Sequence, residues 1–86
     1  MRVTVRLFAR LRDIARAGEL TRDVPEPATI GVVWQDLVRE YPEMARYGSS
    51  ISTAVNAEYA RMTTTVTEGD EVAFLPPVSG GRGQQV

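Results

Sequence analysis

Between Thr29 and Pro42 the apolar side chains fall at Ile30, Val33, Trp34, Leu37, Val38 and Tyr41. This i, i+3, i+4, i+7, i+8, i+11 spacing lays one continuous apolar stripe along a helix. Thr29 supplies an N-cap, and Pro42, which can neither donate nor continue the turn, closes the segment. A stripe this wide has to be covered, and the rest of the chain offers mainly strands to cover it. Trp34 and Tyr41 are therefore assigned to the core, not to a ligand-stacking surface.

The covering pieces are short. In "RVTVRLF", Val3, Val5 and Leu7 share one face while Arg2, Thr4, Arg6 and Phe8 share the other, the signature of a half-buried strand. "FARLRDIARAG" then shifts to helical spacing, with Phe8, Leu11, Ile14 and Ala15 together and Gly18 as the expected stop. "ELTRDVPEP" gives a second strand that ends at Pro25 and Pro27. Residues 43–50 read as a loop broken by Gly48-Ser49-Ser50. "ISTAVNAEYARM" alternates again around Ile51, Thr53 and Val55 and turns near Asn56-Ala57-Glu58. A last turn at Glu68-Gly69-Asp70 feeds a strand with Val72 and Phe74 inward and Ala73 and Leu75 outward. Pro76 and Pro77 cannot join a ladder, so the chain leaves the sheet there. The predicted order is strand, helix, strand, helix, then two or three strands. It defines an α+β fold with a mixed sheet packed on one long helix plus a short one. One domain is expected over residues 1–77, with a flexible C-terminal tail over residues 78–86.

Eighty-six residues suffice for a single core, and no apolar run approaches membrane-spanning length. Met1-Arg2-Val3 enters the strand pattern directly, so no signal peptide is expected. The chain has no cysteine and no histidine, and all ten basic residues are arginine. Disulfides, thiol nucleophiles, imidazole bases and lysine Schiff bases are thereby excluded from its own chemistry. That shifts the expectation from catalyst to carrier or binding module, in a reducing, cytoplasmic setting. The net charge is only −1, but residues 1–18 carry five arginines against Asp13, whereas residues 19–81 carry four against ten acids. This asymmetry orients a partner and is too weak to bind nucleic acid.

Two clusters invite a site and fail. Glu68, Asp70 and Glu71 have no calcium-loop spacing, and Glu-Gly-Asp is ordinary turn chemistry. "GGRG" precedes no helix, as a phosphate loop requires, and lacks the repeats and stacking aromatics of a nucleic-acid motif. No metal site is expected. The ending "PPVSGGRGQQV" is more informative. Pro76-Pro77 favours an extended rod. Gly80 and Gly81 have no Cβ, so their backbone fits a channel too narrow for other residues. Phe8, Leu75 and Tyr59 make an apolar patch near the root of this tail, the mark of a partner surface.

"FARLRDIA", "YP", "AVNAEYA" and "GDEVAFLPPVSGG" together resemble the MoaD-like branch of the ubiquitin-like β-grasp sulfur carriers, the small subunits of molybdopterin synthase. The resemblance spans residues 2–81, and "GDEVAF-PPVSGG" is its most specific part. It implies a β-grasp fold and a sulfur carrier that catalyses nothing itself. Gly81 matches the residue whose α-carboxylate is adenylated by an E1-like activating enzyme that consumes ATP. Sulfur from a donor sulfurtransferase then replaces AMP to leave a thiocarboxylate. Gly80 matches its threading companion, and Val78 and Ser79 the rest of the inserted tail. Phe8, Tyr59 and Leu75, with Pro76 and Pro77 beyond them, match the surface that docks on the large synthase subunit, where sulfur passes to a precursor pterin. No cofactor is bound by the carrier.

The departure is Arg82-Gly83-Gln84-Gln85-Val86, because the matching glycine ends typical members of this family. An amide at Gly81 cannot be adenylated, so the resemblance implies either cleavage of the Gly81–Arg82 bond by a protease or an inactive form. Other sulfur acceptors remain open (cysteine, a thiolated tRNA base, a specialised metabolite). So do a ubiquitin-like modifier joined through Gly81 to lysines on targets and a purely non-covalent interaction domain.

Overall fold

A computed structural model describes residues 1–77. The elements follow as β1 (Arg2–Leu7), α1 (Ala9–Ala15), β2 (Glu19–Asp23), β3 (Ala28–Thr29), α2 (Ile30–Glu40), a 3-10 helical segment (Pro42–Tyr47), β4 (Ser52–Val55), β5 (Glu58–Ala60), β6 (Thr65–Val66) and β7 (Glu71–Leu75). Five strands form one sheet in the order β2-β1-β7-β4-β5, and β3 pairs with β6 in a separate two-stranded ladder. The central β1–β7 pair is parallel, with Val5 opposite Val72, while β2, β4 and β5 run antiparallel to their neighbours.

The alternation in β1 and β7 decides the layering. Val3, Val5 and Leu7, with Val72 and Phe74, point to one face and are buried against Ile30, Val33, Trp34 and Leu37 of α2. The Trp34 and Phe74 rings lie 5.1 Å apart between centroids at 44°, an arrangement favourable to aromatic pairs. Val38 and Tyr41, the outer members of the stripe, pack half-buried against this cluster. Thr29 caps α2 as expected, its Oγ1 accepting from the Val32 N–H at 3.3 Å.

At the edge, Arg22 of β2 reaches the helix. It donates to Asp36 at 2.8 Å and also pairs with Glu40. Desolvation opposes the charge on Arg22, but the hydrogen bonds from the guanidinium to Glu40 and Asp36 outweigh it and raise its pKa. Burial, helped by the Glu40 charge, likewise pushes the Tyr41 hydroxyl up.

Four local expectations need correction. The short helix starts after Phe8, whose backbone is extended (φ −129, ψ 154), so Phe8 stays on the outer face instead of joining Leu11. The helix stops at Arg16, left-handed at φ 59, and not at Gly18. Residues 43–50 are no simple loop: Pro42 opens the 3-10 turn that buries Met44 completely. Among the described residues four strands, not two or three, follow α2. The addition is β6, whose approach places Thr64 and Met62 over the helix start. Their carbonyls accept from Ile30 N–H at 3.0 Å and Gly31 N–H at 2.8 Å, satisfying donors that the first turn leaves free. A Cβ on Gly31 would stand 3.3 Å from the Met62 carbonyl oxygen, tight for any side chain there.

The two faces of the sheet predict opposite responses to truncation. Phe74→Ala, at a fully buried ring, is expected to cost about 3–5 kcal/mol in urea unfolding. Tyr59→Ala, at an exposed ring, is expected to stay within about 0.5 kcal/mol.

Candidate functional site

The face of the sheet turned away from α2 carries a cross-strand row fixed by register. Arg6 of β1 lies opposite Ala73 of β7, Ala73 opposite Ala54 of β4, and Ala54 opposite Tyr59 of β5. Two alanines in the middle of a row bounded by long side chains leave a hollow. It is a shallow depression lined by Phe8, Ala54, Ala57, Tyr59, Ala73 and Leu75. Tyr59 is 83% exposed and Phe8 38%, large apolar areas that a folded chain leaves uncovered at some cost.

Each wall is held by its own local structure. Phe8 sits between the end of β1 and a left-handed Ala9 (φ 52), and its carbonyl accepts from the N–H groups of Leu11 and Arg12. The Arg6 guanidinium lies 5.7 Å from the centre of the Phe8 ring and 3.4 Å from a Glu71 carboxylate oxygen, so the aromatic wall is backed by a paired cation. Tyr59 follows a two-residue turn in which Asn56 (φ 50) and Ala57 (φ 72) are both left-handed, the geometry of a tight hairpin. Leu75 is the last residue of β7, so the chain leaves the sheet at the rim of the depression.

Of the residues singled out in the sequence, Phe8, Tyr59 and Leu75 converge on this one hollow. Pro76 and Pro77 stand at the exit and do not line it. Val78, Ser79, Gly80, Gly81 and Arg82 lie outside the described residues. Sequence reasoning missed Ala54, Ala57 and Ala73 as part of the surface. Their signal was small side chains where a merely solvated face would carry larger ones, Ala54 and Ala73 at outward strand positions and Ala57 in the turn between β4 and β5.

The acidic turn is occupied structurally. Glu68 accepts from the Arg2 N–H at 2.9 Å, Glu71 pairs with Arg6, and Asp70 accepts from the Thr67 N–H at 2.7 Å and the Asn56 side-chain amide at 3.0 Å. Gly69 takes the one position in this turn that demands a positive φ (+84). The Thr67 N–H first, and then Asn56, hold the Asp70 carboxyl below its ordinary pKa.

Residues 5–81 match the ThiS family. The chain belongs to that family. A molybdopterin synthase sulfur carrier subunit from Arabidopsis thaliana is 34% identical over 79 residues, covering 92% of this chain and 82% of its own length. The crystal structure of SAMP1 from Haloferax volcanii superposes with a TM-score of 0.84 at 31% identity, covering 94% of this chain and all of that one. A chain of the BexX/CysO complex from Amycolatopsis orientalis superposes at 0.68 with 27% identity, over 92% of this chain and 99% of that one. The fold is thus the ubiquitin-like β-grasp of the ThiS family, as the sequence implied. Among the described residues, no helix is long and apolar enough to cross a membrane.

The Asp70 bonds give a signed acid response. A carboxylate with a depressed folded-state pKa adds stability that is complete above its unfolded value of about 3.9 and fades as pH falls through the folded one. The stability gap between the natural chain and Asp70→Asn is expected to be flat from neutral pH to about 5 and to close below about 4. Urea unfolding across that range checks it, and a gap that persists undiminished at the acid end contradicts the assignment.

Proposed function

We propose that this chain is the sulfur carrier of a molybdopterin synthase, bearing sulfur as a thiocarboxylate on Gly81. The observation that carries this reading is where the family match lies: it runs through β7 and the depression and ends at residue 81. The curated relative from Arabidopsis thaliana is named for the same role.

A carboxylate is a poor electrophile. Attack of the Gly81 carboxylate on the α-phosphorus of ATP expels pyrophosphate and leaves an acyl adenylate. The outer sulfur of a persulfide on a donor protein then adds to the acyl carbon, and AMP departs. A second thiol of the donor system attacks the inner sulfur of the resulting acyl disulfide, which releases the thiocarboxylate and leaves a disulfide on the donor side. None of these steps needs a histidine, cysteine or lysine on the carrier, and the chain has none. The nucleotide site, the sulfur source and any acid or base belong to an E1-like activating enzyme and a sulfurtransferase. The carrier contributes a docking surface and a terminus without side-chain bulk. Hydrolysis of the Gly81–Arg82 bond by a protease comes first, since only a free carboxylate can be adenylated.

The depression receives the large synthase subunit. Its alanine floor suits a protruding apolar side chain from that partner, and Leu75 places the departing chain at the rim of the contact. Tail insertion and docking then become one event, which raises the effective concentration of Gly81 at the acceptor.

A second reading draws on the Haloferax volcanii relative named small archaeal modifier protein 1, 34% identical over 84 residues. In that reading the same activated Gly81 forms amides with lysines of other proteins. Covalent conjugates of this chain in host extracts favour the modifier, and their absence favours the carrier.

Two outcomes test the main reading. A chain ending at Gly81, loaded by its activating enzyme and mixed with a large subunit and precursor pterin, is expected to yield molybdopterin. The chain through Val86, without protease, is expected to yield none. Failure of the shortened chain where a related carrier succeeds overturns the assignment. Separately, Ala73→Leu fills the floor of the depression and is expected to weaken large-subunit binding by about five- to a hundredfold, the range typical of overpacking. The urea midpoint should barely move, because the new side chain points to solvent.

A further inference from the structure

We propose that Asn56 is a positioning residue for the docking surface: its side chain tethers the β4–β5 turn to the start of β7 and so presets Tyr59 over the alanine floor. The proposal rests on the reading of the depression as the partner surface.

The tether is visible in three bonds. The Asn56 N–H donates to the Glu71 carbonyl at 2.8 Å, Oδ1 accepts from the Glu71 N–H at 3.0 Å, and Nδ2 donates to Asp70 Oδ1 at 3.0 Å. The strands β4 and β7 pair from Ser52↔Leu75 to Val55↔Val72, so Asn56 and Glu71 would be the next rung. At Asn56, however, the backbone turns left-handed (φ 50) and swings away from β7. The amide side chain stays behind and accepts the bond that an extended backbone carbonyl would have accepted. Asparagine suits both demands, since it tolerates the left-handed region and carries an acceptor and a donor on one short arm.

The tether matters because little else orients Tyr59. β5 is three residues long and, among the described residues, lies at the edge of the sheet with β4 as its one neighbour. The Tyr59 ring is mostly exposed, so core packing does not fix it. Its direction follows from the turn at Asn56-Ala57, and Ala57 itself lines the depression. The far end of the tether is firm: Asp70 also accepts from Thr67 N–H, and the Asp70 carbonyl accepts from Thr4 N–H of β1 at 2.9 Å. The central strands thus transmit their rigidity to the edge through one amide. A wall held in its bound position spares the complex the ordering cost of an immobilised side chain.

A double-mutant cycle tests this. Asn56→Gly accepts the left-handed backbone but removes the tether, so the chain still folds. Binding to a purified large molybdopterin synthase subunit is measured for the natural chain, Asn56→Gly, Tyr59→Ala and the double variant. Asn56→Gly is expected to weaken binding by about two- to tenfold, the equivalent of ordering one side chain. It should cost little further in the Tyr59→Ala background. Without partner, the β5 amides should exchange faster in Asn56→Gly, as should the Glu71 N–H that loses its acceptor, while those of β1 and of β7 from Val72 onward are unchanged. Unchanged binding in Asn56→Gly, or strictly additive losses, overturns the positioning role and leaves the docking surface intact. Unchanged binding in Tyr59→Ala instead overturns the docking surface, and the proposal with it.

Discussion

The parallel pairing of β1 with β7 is the contact on which the rest of the molecule depends. It joins the first strand to the last described one, Val5 beside Val72, and so closes nearly the whole chain into a loop. Such long-range closure costs chain entropy that grows slowly with loop length and is offset by the apolar surface that the pair buries. One face is covered by α2, through Trp34 on Phe74. The other is the outer face. There the same two strands present Arg6, Ala73 and Leu75 to the outside, and the alternation that buries Phe74 necessarily exposes its neighbours.

Core and outer face are therefore two readings of one register. A slip of one residue in β7 would bring Ala73 and Leu75 under the helix and push Phe74 to solvent, destroying both surfaces together. This explains how a chain with so few catalytic side-chain types still carries a specific function. Its information lies in which side of a strand each residue occupies, and in where the strand lets go at Pro76.

Much of this was legible in the sequence, for a physical reason. The α2 stripe, the alternation of β1 and β7, the Thr29 cap and the Glu68-Gly69-Asp70 turn are all local patterns with a fixed period or a fixed backbone demand. Phe8, Tyr59 and Leu75 were legible as large apolar residues at outward positions. What escaped was short or long-range. β3 and β6 have two residues each, too few to show a period. Met44 is buried by a 3-10 turn whose sequence looks like a polar loop. The grip of Arg22 on Asp36 and Glu40, and of Asn56 on Asp70 and Glu71, joins residues that no spacing rule connects. The left-handed Arg16 defeats the usual preference for glycine at a helix end, since the preferred residue stands two positions later at Gly18.

The proposed function turns on one atom: under it, the working atom is the carbonyl carbon of Gly81, and Arg82 to Val86 cap that atom until they are removed. Intact-mass measurement of the protein isolated from its native host, under conditions that preserve thiocarboxylates, addresses it most directly. The account predicts a species ending at Gly81, a fraction of it with one oxygen replaced by sulfur. Sulfur-loaded, active complexes containing only chains that run through Val86 would contradict it.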